Sequence, residues 1–245
     1  MKKLIVMLLL LLTITALTSC NDEPEVNNAS FTETTVTQSD YIILPPPATD
    51  GNVSVESALA NRRSQRNFQD RAISKEQLSQ VLWAAYGVAL PLPNEPHLRG
   101  GLRTTPSAGA MYPLEIYVIV GNVDSIEPGV YRYISEEHKI VRIVYGDIRH
   151  ELAEAALGQR MVREASAAIF YSAVFERMTE RYGERGVRYV YMEIGHSAQN
   201  VYLQAEALGL GACAIGAFVD SEVRRLLQLP ADEEPLYLMP FGYFY

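Results

Sequence analysis

The sequence is poor in the residues that most often carry chemistry. It has two cysteines, Cys20 and Cys213, and four histidines, His97, His138, His150 and His196. No two histidines are spaced as a ligand pair, so no metal centre is expected. A G-x-S-x-G elbow is missing, which argues against a serine hydrolase. The glycine-rich stretch Gly209 to Gly216 reads G-x-G-x-x-x-x-G and has no P-loop lysine, so neither a dinucleotide fingerprint nor an ATPase loop is present. Positive charge is also short: Lys+Arg 21 against Asp+Glu 29, a formal net charge of −8, argues against a nucleic-acid surface. Any bound phosphate must therefore meet a local basic cluster. Cys213 sits in an apolar run and reads as a core thiol.

What the chain does have begins at its start. Lys2 and Lys3 precede an apolar run from Leu4 to Leu17, and Leu17-Thr-Ser-Cys20 follows. A basic start, a run of that length and small residues before a cleavage point make a secretory signal over 1–19. The ending is similar to a bacterial lipobox, which makes Cys20 the expected lipidation site and the protein an exported domain anchored to a membrane. An ordinary signal peptide with an incidental cysteine is the other reading. With Cys20 acylated, Cys213 has no partner for an internal disulfide, so stability rests on the core. Residues 20–50 are acidic, Pro-containing and rich in Ser and Thr, and read as a tether. Within it, Tyr41 to Leu44 reads as a short docked extended piece. Residues 51–245 are expected to form one domain.

The domain reads as mixed and largely helical. Ser54 is expected to cap a short helix through Ala60. Ser74 and Gln77 have capping-box spacing ahead of a helix whose Leu78, Val81, Leu82 and Ala85 share a face, closed by Gly87. Ile116–Val120 reads as a buried strand. Gly129–Ile134 and Lys139–Val144 read as a hairpin. Asp147 is expected to cap a helix to Leu157, and Ala167–Tyr171 to form a short strand. Arg188–Leu208 is the longest helical pattern, closed by Gly209. Ala212–Ile215 and Leu236–Phe241 read as strands around a helix over Asp220–Leu227. Strands interspersed with helices point to an α+β or α/β domain.

Two segments are over-built for connections. In Asn61-Arg-Arg-Ser-Gln-Arg-Asn-Phe68, Arg62, Arg63 and Arg66 lie within five residues around Ser64. Guanidinium forks and a hydroxyl match phosphate oxygens or the polar edge of a heterocycle. A solvated basic turn paired with the protein's carboxylates is the alternative. In Arg103-Thr-Thr-Pro-Ser-Ala-Gly-Ala-Met-Tyr-Pro-Leu-Glu115, the small residues Pro106, Ser107, Ala108 and Gly109 would let a backbone approach a flat ligand, or simply make a tight connection.

Taken in order, RRSQRNF, ISKEQLSQVLWAAYGV, RTTPSAGAMYPLEIYVIV, PGVYRY, the stretch from Val174 to Phe218 and EEPLYLMPFGY resemble the nitroreductase superfamily of flavin enzymes, most of all its SagB/thiazoline-oxidase-type subgroup. The resemblance runs from about Leu44 to the end. It implies an α+β fold with a central mixed sheet, a long buried helix at the axis of a homodimer, and FMN at the dimer interface. It further implies that Arg62, Arg63, Ser64 and Arg66 meet the FMN phosphate or ring edge. Pro106, Ser107, Ala108 and Gly109 would lie along the isoalloxazine, with Ile215 and Gly216 on its other side and Arg224 or Arg225 near the phosphate. Arg66 becomes the candidate cation beside the reduced ring. NAD(P)H is the implied co-substrate, with a small-molecule or peptide substrate. Ala110 and Tyr112 stand where ordinary nitroreductases carry Asn and Gln. Arg181-Tyr182 stands where the azoline dehydrogenases of the subgroup carry Lys-Tyr. Arginine keeps its proton, which leaves Tyr182 as the acid–base candidate of the pair.

Overall fold

The computed structural model describes residues 41–245, so the expected signal peptide, Cys20 and the tether up to residue 40 lie outside the described residues. The elements in chain order are β1 (Tyr41–Ile43), α1 (Val55–Asn61), α2 (Lys75–Tyr86), β2 (Val88–Pro91), β3 (Gly101–Arg103), β4 (Leu114–Val120), β5 (Gly129–Ile134) and β6 (Lys139–Tyr145). They continue with α3 (Arg149–Ala155), α4 (Arg160–Glu164), β7 (Ala167–Ala173), α5 (Glu176–Tyr182), α6 (Arg185–Ala207), β8 (Gly211–Ala212), α7 (Asp220–Leu226) and β9 (Glu234–Gly242).

A seven-stranded sheet in the order β1-β6-β5-β4-β7-β9-β8 forms the centre, and β2-β3 make a separate pair. Every strand pairing in the sheet is antiparallel, which corrects the mixed sheet expected. Parallel contact is confined to two isolated bridges, Ser64–Ala212 and Ile73–Val123. The connections explain this. A four-residue turn joins β5 to β6, and a turn that short permits only antiparallel neighbours.

The α+β architecture places a core on each face of the sheet. In β4 every residue is buried, because alternate side chains feed opposite cores. Ile116, Val118 and Val120 join a cluster with α2 and α6, while Tyr117 and Ile119 join one with α3, α4 and α7. That is why the strand reads as an unbroken apolar run rather than an alternation.

Local signals hold at the starts of α1 and α2. The Ser54 side chain accepts from the Ser57 N–H, and Ser74 and Gln77 form the reciprocal capping box. At α3 the cap position is Ile148, one residue later than expected, although the Asp147 carboxylate still accepts the Arg149 N–H. Helix α6 starts at Arg185, ahead of the expected Arg188. The strand expected over Ala212–Ile215 reduces to β8 and a single bridge from Ile215 to Leu238.

Among the described residues the sheet already includes Tyr41–Ile43, ahead of the expected boundary at 51. β1 pairs with β6, and the next turn is clamped by His138. Its Nε2 lies 2.7 Å from Ser79 Oγ and 2.9 Å from the Pro45 carbonyl, and Nδ1 lies 2.8 Å from Tyr133 Oη. Burial lowers the His138 pKa below its usual value, against the opposing hydrogen bond to the Pro45 carbonyl.

Candidate functional site

Helix α6 organises the site, because it carries polar side chains on the face it turns to the core. Glu193, Ser197 and Asn200 stand at i, i+4 and i+7 there. Ser197 Oγ donates to the Ala85 carbonyl at 2.6 Å. Asn200 Nδ2 donates to the Thr104 carbonyl and to Thr105 Oγ1, both at 3.2 Å. The strand-to-corner segment 104–109 is thus laid along the helix.

Near the C-terminal end of α6, Tyr202 gathers the arginine segment. Its hydroxyl lies 3.1 Å from Ser64 Oγ and accepts the Ala214 N–H at 2.8 Å, and Arg62 stands over its ring at 5.1 Å. The Gln65 N–H donates to the Ala212 carbonyl at 2.9 Å. Gly211 is required for this approach: a Cβ there would lie 2.6 Å from the Gln65 side chain and 2.9 Å from Phe244. The structure therefore brings Arg62, Ser64 and Arg66 to the edge that also bears Ile215 and Gly216.

Among the described residues no carboxylate forms an ion pair with Arg62, Arg63 or Arg66. Arg63 turns back onto the Ala60 and Arg62 carbonyls, and Arg66 makes only a long contact to the Ser64 carbonyl. Among the described residues this leaves a cationic patch suited to an anion. Ile215 buries its side chain in the second core and exchanges both backbone hydrogen bonds with Leu238, so a ligand there would meet the exposed Gly216. Arg224 is engaged elsewhere, donating to the Pro230 carbonyl at 2.9 Å and to Glu234 at 3.1 Å, and Arg225 pairs with Glu222.

The Pro106–Gly109 corner is strained and heavily braced. Gly109, Ala110 and Tyr112 all take positive φ, at 61°, 53° and 47°. For the two non-glycines this costs roughly 1–2 kcal/mol each. Ser107 Oγ accepts the Tyr112 N–H at 3.0 Å. Arg99 and Arg177 both donate to the Tyr112 carbonyl and both pair with Glu115. Glu115 also receives Arg132 at 2.8 Å. Burial alone would raise the Glu115 pKa, but Arg132, Arg99 and Arg177 together outweigh it and hold the carboxyl below its usual value. Such over-determined strain is characteristic of functional corners.

Arg181 and Tyr182 end α5 against this corner. A Cβ on Gly109 would stand 2.4 Å from Tyr182 Oη and 3.4 Å from the Arg181 guanidinium, so any larger residue there would push the Tyr182 hydroxyl away. The Tyr182 ring packs edge-on to Tyr189 of α6 at 5.1 Å. From Glu193 to Tyr202 is nine residues of helix, about 14 Å. The corner and the arginine patch are fastened along that length, one near each end.

Tyr202, Asn200, Glu193 and Glu115 are the site residues the sequence reading missed. Polar residues at i, i+4 and i+7 on an otherwise apolar helix face were the available signal for α6. Glu115 gave none, since its arginines lie 16, 17 and 62 positions away.

A model of the nitroreductase family matches residues 59–243. A Methanocaldococcus jannaschii protein named as a candidate nitroreductase is 48% identical over 190 residues, covering 78% of this chain and 91% of that one. The microcin B17-processing protein McbC of Escherichia coli is 27% identical over 146 residues, 57% of this chain and 54% of McbC. Among solved structures, a candidate nitroreductase from Anabaena variabilis superposes with a TM-score of 0.71 at 28% identity. That match covers 84% of this chain but only 42% of the Anabaena one.

Proposed function

Because the chain belongs to the nitroreductase family, we propose that it is an FMN-dependent oxidoreductase that moves a hydride between FMN and a small or peptide-derived substrate. The observation that carries this reading is the unpaired Arg62–Arg66 patch, fastened along one helix with a braced, small-residue corner. Bound FMN supplies the hydride chemistry itself. Arg62, Ser64 and Arg66 hold the phosphate or the polar ring edge, with Arg63 at the rim. Pro106, Ser107, Ala108 and Gly109 line the ring through backbone and small side chains, and Gly216 beside Ile215 closes the other side. The exposed Val187, Tyr191 and Met192 of α6 give a second copy an apolar surface, in keeping with a homodimer.

NAD(P)H is the candidate electron donor. A second reading, peptide azoline dehydrogenation, is favoured by the likeness to McbC together with the Tyr182 hydroxyl standing at Gly109. In either reading Tyr182 Oη exchanges the proton that accompanies hydride transfer. Tyr182→Phe is expected to slow turnover on the order of 10²-fold with flavin retention unchanged. Turnover equal to wild type would reduce Tyr182 to packing. Anaerobic mixing of the flavin-loaded protein with NADH, NADPH or a dithiol separates the donors. A flavin-binding module without catalysis would show binding and no turnover with any of them.

The reading extends to export and acylation at Cys20, supported by the run from Lys2 to Cys20. Labelling with a radioactive fatty acid is expected in the wild-type chain and lost in Cys20→Ser; label retained in that variant would contradict it.

A further inference from the structure

Helix α5 sets two arginines one turn apart against the corner, and they are used differently. Arg177 is consumed by structure: it pairs with Glu115 at 2.6 Å and donates to the Tyr112 carbonyl at 3.3 Å. Arg181, four residues on, is not. Among the described residues no carboxylate forms an ion pair with it. Its contacts are the Met111 sulfur, a weak acceptor 4.0 Å from Nη1, and the Tyr182 ring at 5.6 Å. Yet the guanidinium lies over the corner. Its Cζ and Nε each stand 3.4 Å from the point that a Cβ on Gly109 would occupy.

The Tyr182 hydroxyl reaches the same point. Its ring is fixed against Tyr189, and among the described residues the hydroxyl has no hydrogen-bond partner. Two donors therefore converge on the one position of the corner without a side chain. Gly109 is exposed, Ser107, Ala108 and Ala110 beside it are half-buried, and none of the four is charged. Nothing in the corner itself answers the guanidinium. A guanidinium is planar, keeps its proton and presents paired N–H groups that match the two oxygens of a carboxylate.

We propose that Arg181 selects the substrate: it holds a carboxylate on the molecule that exchanges the hydride, so this chain prefers substrates that carry a carboxylate within a few bonds of the reacting atom. This rests on the reading that FMN lies along the corner and that Tyr182 exchanges the proton. The two neighbours then divide the work. Arg181 fixes the carboxylate, and Tyr182 Oη faces the nearby atom that gains or loses the proton. No step is added to the hydride transfer, because the guanidinium stays charged throughout.

The test uses the FMN-loaded protein and two flat probes of the same shape, benzoate and benzamide. They are titrated at constant ionic strength and read from the perturbation of the visible flavin band. Benzoate is expected to bind about tenfold more tightly than benzamide, a modest ratio because the guanidinium is exposed to solvent. Arg181→Gln is expected to keep its flavin and to bind the two probes equally. Arg181→Lys, with the charge but without the fork, is expected to fall between. Tyr182→Phe is expected to keep the preference for benzoate, which assigns that preference to Arg181. Equal affinities in the wild type, a flavin band that benzoate leaves unchanged, or a preference that survives in Arg181→Gln would overturn the inference with FMN binding intact. A wild-type protein that retains no FMN would instead defeat the flavin reading, and this inference with it.

Discussion

Replacing Arg62 and Arg66 together with alanine is expected to weaken FMN binding by about 10²- to 10⁴-fold, two charge-assisted hydrogen bonds at roughly 1.5–3 kcal/mol each. The same double variant should melt close to wild type. Among the described residues neither guanidinium has an acidic partner, and Arg62 contributes only its contact over Tyr202, worth roughly 0.5–1 kcal/mol. A large affinity loss with an unchanged fold is the pattern of a ligand site. A stabilised or unaffected flavin complex would mean that the patch serves some other anion. Equilibrium titration with FMN beside a thermal melt of the same sample separates the two outcomes.

The second large effect is on stability. Glu115→Gln leaves Arg99, Arg132 and Arg177 gathered around a neutral side chain. Breaking a buried ion pair by removing one partner typically costs about 3–5 kcal/mol. These arginines are each near 30% exposed, so the lower end, about 3 kcal/mol, is expected. For a chain of this size that is roughly 6–12 °C in Tm. The pH dependence has a definite sign. The folded-state pKa of Glu115 is depressed, so its stabilisation is present above the unfolded value of 4.5 and is lost as pH falls through the folded value. Wild type should therefore lose stability on acidification below pH 4.5 more steeply than Glu115→Gln. Parallel acid melts of the two proteins would remove Glu115 from this role.

The brace at Glu115 also answers what the corner is for. A simple turn needs no positive φ at Ala110 and Tyr112 and no pair of arginines on one carbonyl. The corner is held in a strained shape against which the Tyr182 hydroxyl stands.

How legible this was in the sequence depends on the range of the interactions. The Ser74–Gln77 box, the β4 run and the length of α6 were readable because capping, alternation and helical periodicity are local. The antiparallel sheet was not, since pairing partners such as β7 and β9 are far apart in the chain. The arginine segment was visible as a cluster, but whether carboxylates answered it could be decided only by the fold. Glu115 looked like an oddity at the start of a strand, and Glu193, which accepts the Tyr86 hydroxyl, like one more polar residue on a long helix. Both are defined by partners that sequence spacing does not reveal.

The central claim is that the Arg62–Arg66 patch and the Pro106–Gly109 corner together bind FMN. The most direct measurement is the visible absorption spectrum of the purified domain, recorded as isolated and again after incubation with FMN and removal of the free ligand. The account predicts a retained flavin band, lost in the Arg62→Ala, Arg66→Ala double variant. A colourless wild-type protein after FMN incubation would contradict it.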